Sequence, residues 1–206
     1  MKILSDKKEL IKLINFEKDL GFIPTMGGIH KGHLSLINKS INECEKTIVS
    51  IYINKPQFNK KADFTSYPRN IKKDLLILKK YKIDYLFIPK TKQIYPNGPN
   101  KGIKISSFGK KLCGKFRPNH FEAIADVIDR FIKVINPKVG ETVYDGAVGS
   151  AGFLCEAYAH MLSSRAEMTT EDMKILHEST FYGKEKKNLA YIIGMMNMIL
   201  HGIETP

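Results

Sequence analysis

The chain predicts an α/β protein with a doubly wound, mainly parallel sheet, and three observations carry that prediction. Strand-like and helix-like segments alternate from residue 5 to about residue 135. The strand-like runs, Leu20–Ile23, Thr47–Asn54 and Ile83–Ile88, are short and almost continuously apolar, as suits strands covered on both faces. The first of them leads through Gly27-Gly28 into a segment with helical apolar spacing (Leu34, Leu36, Ile37), giving a strand–turn–helix unit.

Each element follows from its residues. Residues 5–19 set Leu10, Ile11, Leu13 and Ile14 among lysines and acids, the pattern of an amphipathic helix. Pro24, lacking an N–H, is expected to end the ladder of the first strand. Gly27 and Gly28 permit positive φ and close approach of a ligand to the backbone. A helix is expected over Asn70–Lys80, and Pro89 stops the strand before it. Residues 91–109, rich in Lys, Gly, Asn and Pro, read as a surface loop with a short strand. Phe121–Ile135 repeats apolar residues at helical spacing and ends at Asn136-Pro137.

In such folds ligands sit beyond the carboxyl ends of the strands, where two polar groups fall here. His30 and His33 lie three apart at a helix N-terminus, so both rings share one face beside free amides and the positive end of the dipole. That arrangement suits a phosphate. The residue types alone also admit surface or capping histidines, or half a metal site. Asn54 and Gln57 close the second strand; their amides suit a substrate with a hydroxyl and a carboxylate, or simply cap a turn. Tyr67-Pro-Arg69 and Arg117-Pro-Asn-His120 are loop anchors, or cations placed near phosphate.

Composition narrows the class. No apolar run reaches 18 residues and no secretory h-region opens the chain, so no membrane span is expected. Cys44, Cys113 and Cys155 lack CxxC spacing, which argues against a zinc or disulfide framework and for a reducing cytoplasm. The net charge of +12 is uneven: residues 1–140 hold 28 Lys and Arg against 12 Asp and Glu, residues 141–206 hold 5 against 9. Six of the eight methionines lie after position 160. The break points to two sequence origins. The lysines are spread over every amphipathic segment, not gathered in a stripe, so a nucleic-acid face is not favoured.

The run Pro24-Thr-Met-Gly-Gly-Ile-His-Lys-Gly-His33 resembles the signature of pantothenate synthetase (pantoate–β-alanine ligase), in the nucleotidyltransferase superfamily. The resemblance continues at Val49–Phe58, Asp63–Arg69 and Leu112–Phe121. It implies a Rossmann-like domain over 1–135 that binds ATP and pantoate, joins β-alanine, and uses magnesium. On that resemblance His30 and His33 are catalytic. Thr25, Met26, Asn54 and Gln57 hold pantoate, and Gly27, Gly28, His30, His33, Arg117 and His120 surround ATP. No protein metal site is expected, and a homodimer is compatible with the family. The family's Asn-Pro-x-Gln-Phe is altered here to Asn54-Lys-Pro-Gln-Phe58, and Ala123 stands where the family has Gly.

After Pro137 the resemblance changes. The family's G-x-K-D-x-Q-Q and S-S-R-N do not follow; Ser163-Ser-Arg165-Ala166 only imitates the second. Glu141-Thr-Val-Tyr-Asp-Gly-Ala-Val-Gly-Ser-Ala-Gly-Phe-Leu154 instead resembles the cofactor loop of type I restriction-system modification subunits, which are adenine-N6 DNA methyltransferases. Thr180–Glu185 and Leu189–Gly202 match the same family. This implies an S-adenosylmethionine-binding fragment over 136–206, with Asp145, Gly149, Gly152 and Glu185 at the cofactor and Glu185 on the ribose hydroxyls. Gly146 replaces the family's proline, and Met195-Met-Asn-Met198 reads as helix core. The 206 residues contain no N-P-P-[FY] motif for a flipped adenine, so methyl transfer is not expected of them. The whole reads as a composite: a ligase with impaired or no turnover, or else a cofactor-binding fragment or inactive fusion. A single sheet, with Thr142–Asp145 as an added strand from the second Rossmann-like fragment, is one expected architecture; two separate lobes are the other.

Overall fold

The computed structural model describes residues 1–15, 19–103, 113–165 and 167–204. The chain divides into two units, Met1–Asp126 and Val127–Pro206.

In the first unit, β1 (Lys2–Leu4) leads to α1 (Lys7–Ile14), whose N-cap Asp6 accepts from the amides of Lys8 and Glu9. α1 is shorter than the expected 5–19, and residues 16–18 lie outside the described residues. β2 (Leu20–Thr25) then crosses through α2 (Lys31–Glu43) to β3 (Lys46–Ile51). A one-turn 3-10 helix (Lys55–Gln57), α3 (Lys61–Ser66) and α4 (Ile71–Leu78) connect to β4 (Tyr85–Phe87). α5 (Thr91–Ile94) and α6 (Cys113–Phe116) are single turns, and α7 (His120–Ile135) runs across the boundary. The short strand expected within 91–109 is not found up to residue 103; residues 104–109 lie outside the described ones.

The four strands are ordered β1-β4-β3-β2 and every pair is parallel. Central β3 is nearly all buried, which accounts for its unbroken apolar sequence. Pro24 does not end the ladder; it pairs in register with Ser50. β2 is an edge strand, and the bonds Lys46 N to Asp19 O and Tyr52 N to Thr25 O turn its odd-numbered residues toward β3. Pro24 therefore faces the open edge, where no N–H is needed. Ile23, Ile37, Val49, Ile51, Leu78 and Leu86 form the core between sheet and helices.

The second unit contains β5 (Val143–Asp145), α8 (Gly152–Ser163), α9 (Thr170–Glu178), β6 (Phe181–Gly183) and α10 (Asn188–Leu200). Its core gathers Leu154, Cys155, Tyr158, Met161, Leu176, Met198 and Ile203. Among the described residues β5 pairs only with β6, in a separate two-stranded parallel sheet. The single-sheet expectation is thereby corrected: the carboxyl-terminal unit supplies its own partner strand, and Val143–Asp145 bonds to that one. Of the methionine stretch only Met198 enters the core, while Met196 is 58% exposed. No described helix is long and apolar enough to cross a membrane.

Candidate functional site

The site is built where β2 ends. Gly27 (φ 81°) and Gly28 (φ 65°) occupy left-handed backbone, which only glycine adopts at little cost. The amides of the turn point inward. Thr25 Oγ1 donates to Ser50 O (2.8 Å) and accepts from Gly27 N (3.1 Å). Asp74, on α4 and 3% exposed, accepts from Gly28 N (3.0 Å) at one carboxylate oxygen and from Ile29 N (2.9 Å) at the other. The amides of Gly27 and Gly28 are therefore already bonded within the protein.

His30 is the N-cap of α2 and accepts at Nδ1 from Gly32 N (3.1 Å). Its ring lies against that of His33, with centroids 4.0 Å apart and planes tilted by 32°. His33 Nδ1 is buried without a hydrogen-bond partner. Burial, and then the neighbouring His30, push the His33 pKa below the usual histidine value; Asp74 acts against them. Two adjacent imidazoles, one exposed and one held toward neutrality, can present N–H groups to an oxyanion with little mutual repulsion.

A second group surrounds the end of β3. Asn54 is buried, and both ends of its amide are bonded to protein: Nδ2 donates to Gln57 Oε1 (3.1 Å) and Ala123 O (3.2 Å), and Oδ1 accepts from Tyr95 OH (2.8 Å). Gln57 Nε2 reaches Met26 Sδ (3.2 Å), and Gln57 O lies 2.6 Å from His120 Nδ1. Met26, Asn54, Gln57 and His120 are thus linked into one network at the strand ends. Arg117 is exposed in the turn before α7 and accepts at its carbonyl from His120 N (3.2 Å).

A cavity of about 360 Å³ opens beside the turn, lined in part by Met26, Gly27, Tyr52, Arg69, Asp74 and Lys90. The rings of His30 and His33 are not part of its lining. Arg69 stacks on Phe64 at 4.1 Å and donates to Phe64 O, which fixes the guanidinium at the rim.

The second unit has its own loop. Gly149 (φ 54°) follows β5, and Ala151 N-caps α8 in left-handed backbone. Gly149 N donates to Glu185 Oε2 (2.9 Å), and Lys186 N and Lys187 N donate to Glu185 Oε1 (2.8 and 2.9 Å). These amides, Lys187 first, hold the Glu185 carboxyl below its usual pKa. The carboxylate expected on ribose hydroxyls is thus engaged by the loop itself. Asp145 accepts from Ala147 N (3.0 Å), and burial raises its pKa. Gly152 opens α8, with open space where a Cβ would stand. α10 lies so close to the loop that a Cβ on Gly194 would meet Gly149 O at 2.8 Å.

Sequence reasoning missed Asp74 and Tyr95. Asp74 carried a signal: it is four residues before buried Leu78 on the same helical stripe, and a carboxylate on an inward face needs a partner. Tyr95 sits in a Pro- and Gly-rich stretch and carried none.

A parallel α/β sheet whose edge strand feeds a glycine turn, then a helix headed by two adjacent imidazoles, defines a Rossmann-like α/β protein. The chain belongs to the pantoate-beta-alanine ligase family, whose profile matches residues 2–144. The N-6 DNA methylase profile matches residues 105–206, so the chain is a composite. A pantothenate synthetase from Ruthia magnifica is 37% identical over 194 residues, covering 92% of this chain and 66% of that protein. Other curated relatives are matched over about half their length, 49% and 50% in two cases. The structure of the Francisella tularensis pantoate-beta-alanine ligase, complexed with beta-gamma ATP and beta-alanine, shares 29% identity and a TM-score of 0.70, over 91% of this chain and 68% of that one. A chain of a type I restriction–modification system shares 46% identity over 38% of this chain and 16% of that one, with a TM-score of 0.35.

Proposed function

We propose that this is a pantoate–β-alanine ligase-like protein that binds ATP and pantoate on its first unit and turns over little or not at all. The observation that carries the reading is the stacked His30–His33 pair, with an unpartnered buried Nδ1, at the strand carboxyl ends. In the reaction, the pantoate carboxylate attacks the α-phosphorus of ATP and pyrophosphate leaves. The β-alanine amine then displaces AMP to form the amide. His30 and His33 stabilise charge on the α-phosphate, a contribution worth several kcal/mol when donors are preorganised. Gln57, steadied by Asn54, Met26 and His120, contacts pantoate; Thr25 holds the turn, and Arg117 stands at the rim of the nucleotide site. Among the described residues no three His, Cys, Asp or Glu side chains cluster to hold a metal, so magnesium would take phosphate and water oxygens as ligands.

Impairment is inferred from residues 138–154. Where the ligase family has its lysine-containing motif, this chain has Glu141–Leu154, and the transition-state charge loses that cation. Pyrophosphate release in the presence of ATP and pantoate should stay near background, while each ligand alone raises the melting temperature. A site at 100 times its dissociation constant adds about 2.7 kcal/mol. Turnover that requires both substrates and disappears in His33→Ala would overturn the impairment; no shift with either ligand would remove the binding site as well.

A second reading, an S-adenosylmethionine-binding fragment of an adenine-N6 DNA methyltransferase, is favoured by the match over 105–206 and by the left-handed Gly149 loop. S-adenosylmethionine in the same melting experiment tests it, with Glu185 Oε2, which accepts one loop amide, left with capacity for a ribose hydroxyl.

A further inference from the structure

We propose that Asp74 is the positioning residue of the paired histidines: its carboxylate, fastened to Gly28 N and Ile29 N, fixes the turn from which His30 and His33 project. The inference rests on the ligand-binding reading above only for its consequence on ATP. Its structural part stands by itself.

The geometry is specific. Both carboxylate oxygens are used, on consecutive amides at 3.0 and 2.9 Å, across 46 and 45 residues of sequence. Asp74 is 3% exposed, so water does not compete for these bonds. Charge-assisted bonds of this kind are about twice as strong as neutral ones. The clamp begins two residues before His30, which itself caps α2, so the orientation of both rings depends on where Asp74 holds the turn. Space enforces the arrangement: a Cβ on Gly27 would meet Asp74 Oδ2 at 3.0 Å. Asp74 and Arg69 both line the cavity.

Its charge is felt locally. His33 is acted on by His30 from its own helix, which lowers its pKa, and by Asp74 from α4, which raises it. Tyr67, beside Arg69 in the same loop, has its pKa raised by burial and then by Asp74. The carboxylate thus orients the imidazole pair and opposes the lowering of the His33 pKa by burial and by His30.

The test uses the full chain and two variants. Asp74→Asn keeps the size while removing the charge and one acceptor. Asp84→Asn is the control, since Asp84 also accepts from a backbone amide (Thr47 N, 2.9 Å) but stands at the amino-terminal side of β4, away from the strand carboxyl ends. Imidazole titrations of His30 and His33 are followed by NMR without ligand, then melting is followed with and without ATP. In Asp74→Asn the His33 midpoint should fall below that of the unchanged chain, and the ATP-induced shift should shrink; Asp84→Asn should alter neither. An unmoved His33 midpoint in folded Asp74→Asn overturns the proposal. If Asp74→Asn does not fold, amide exchange of the unchanged chain decides: Gly28 and Ile29 must be protected, and unprotected exchange at both overturns it. A moved midpoint with no ATP response in the unchanged chain would leave Asp74 as positioning residue and reject the ligand reading.

Discussion

Replacing Gly21 with alanine should weaken the first unit more than so small a change usually does. Gly21 lies in β2, under α2, and a Cβ built there would stand 1.8 Å from Ser40 Oγ, 2.8 Å from Ser40 Cβ and 3.2 Å from Cys44 Sγ. Rotating the Ser40 hydroxyl relieves the first contact but not the second, because the Ser40 Cβ is fixed by the backbone of α2. Rotation also breaks the buried bond between Ser40 Oγ and Thr47 Oγ1 (2.8 Å), leaving the hydroxyl of Thr47, 1% exposed, without that partner. Overpacking of this kind costs about 1–3 kcal/mol, and the lost bond about 1 kcal/mol more. The reduced freedom of the unfolded chain returns only about 0.5 kcal/mol. A net loss of about 1.5–3.5 kcal/mol follows. With two units in the chain, a single denaturation curve is not a clean measure, so native-state exchange of the Ile48 and Val49 amides, both in β3, is the appropriate assay. Adding Ser40→Gly should recover space, making the pair of changes less damaging than their sum. A Gly21→Ala protein within about 0.5 kcal/mol of the parent, the range of ordinary surface substitutions, would refute the packing argument.

Two further outcomes are expected. Because burial lowers the His33 pKa, the folded chain resists a proton that the unfolded chain takes up near 6.5. The contribution of neutral His33 is therefore complete above that pH and is lost as the pH falls through the window below it. His33→Gln should flatten the acid side of the pH–stability curve read at the β3 amides, and an unchanged slope would contradict it. In the second unit Cys155 is buried and its thiol is pushed up to about 11, chiefly by desolvation. Thiol reagents at pH 8 should label it only as the unit opens, and Leu154→Ala (1% exposed) should speed that labelling by removing about 2–5 kcal/mol of packing. Rapid labelling of Cys155 in the folded parent chain would be inconsistent with this core.

Much of the framework was readable in the residues because it depends on local pattern. β3 was visible as a β-branched run, α7 as apolar residues every three or four positions up to Asn136-Pro137, and the Gly27-Gly28 turn as a glycine pair that permits positive φ between strand and helix. β1 was invisible because three residues carry no period; it exists by pairing with β4, Lys2 opposite Tyr85. The same limit hid the true state of the candidate site. Asn54 reads as a free amide in sequence, yet Tyr95, Gln57 and Ala123 absorb its bonds. Glu185 reads as a ribose acceptor, and only the structure shows that its carboxylate also accepts from the amides of Gly149, Lys186 and Lys187.

The sequence by itself determined the strand–turn–helix chemistry, the two imidazoles on one helical face, the change of character after Pro137 and both family likenesses, since each resides in neighbouring residues. Tertiary structure alone decided that β5 pairs with β6 and not with the first sheet, and that Asp74 closes the glycine turn whose amides looked free. The physical reason is the same in both cases. A buried backbone N–H or C=O must find a partner, and which partner arrives is settled by packing among segments far apart in the chain.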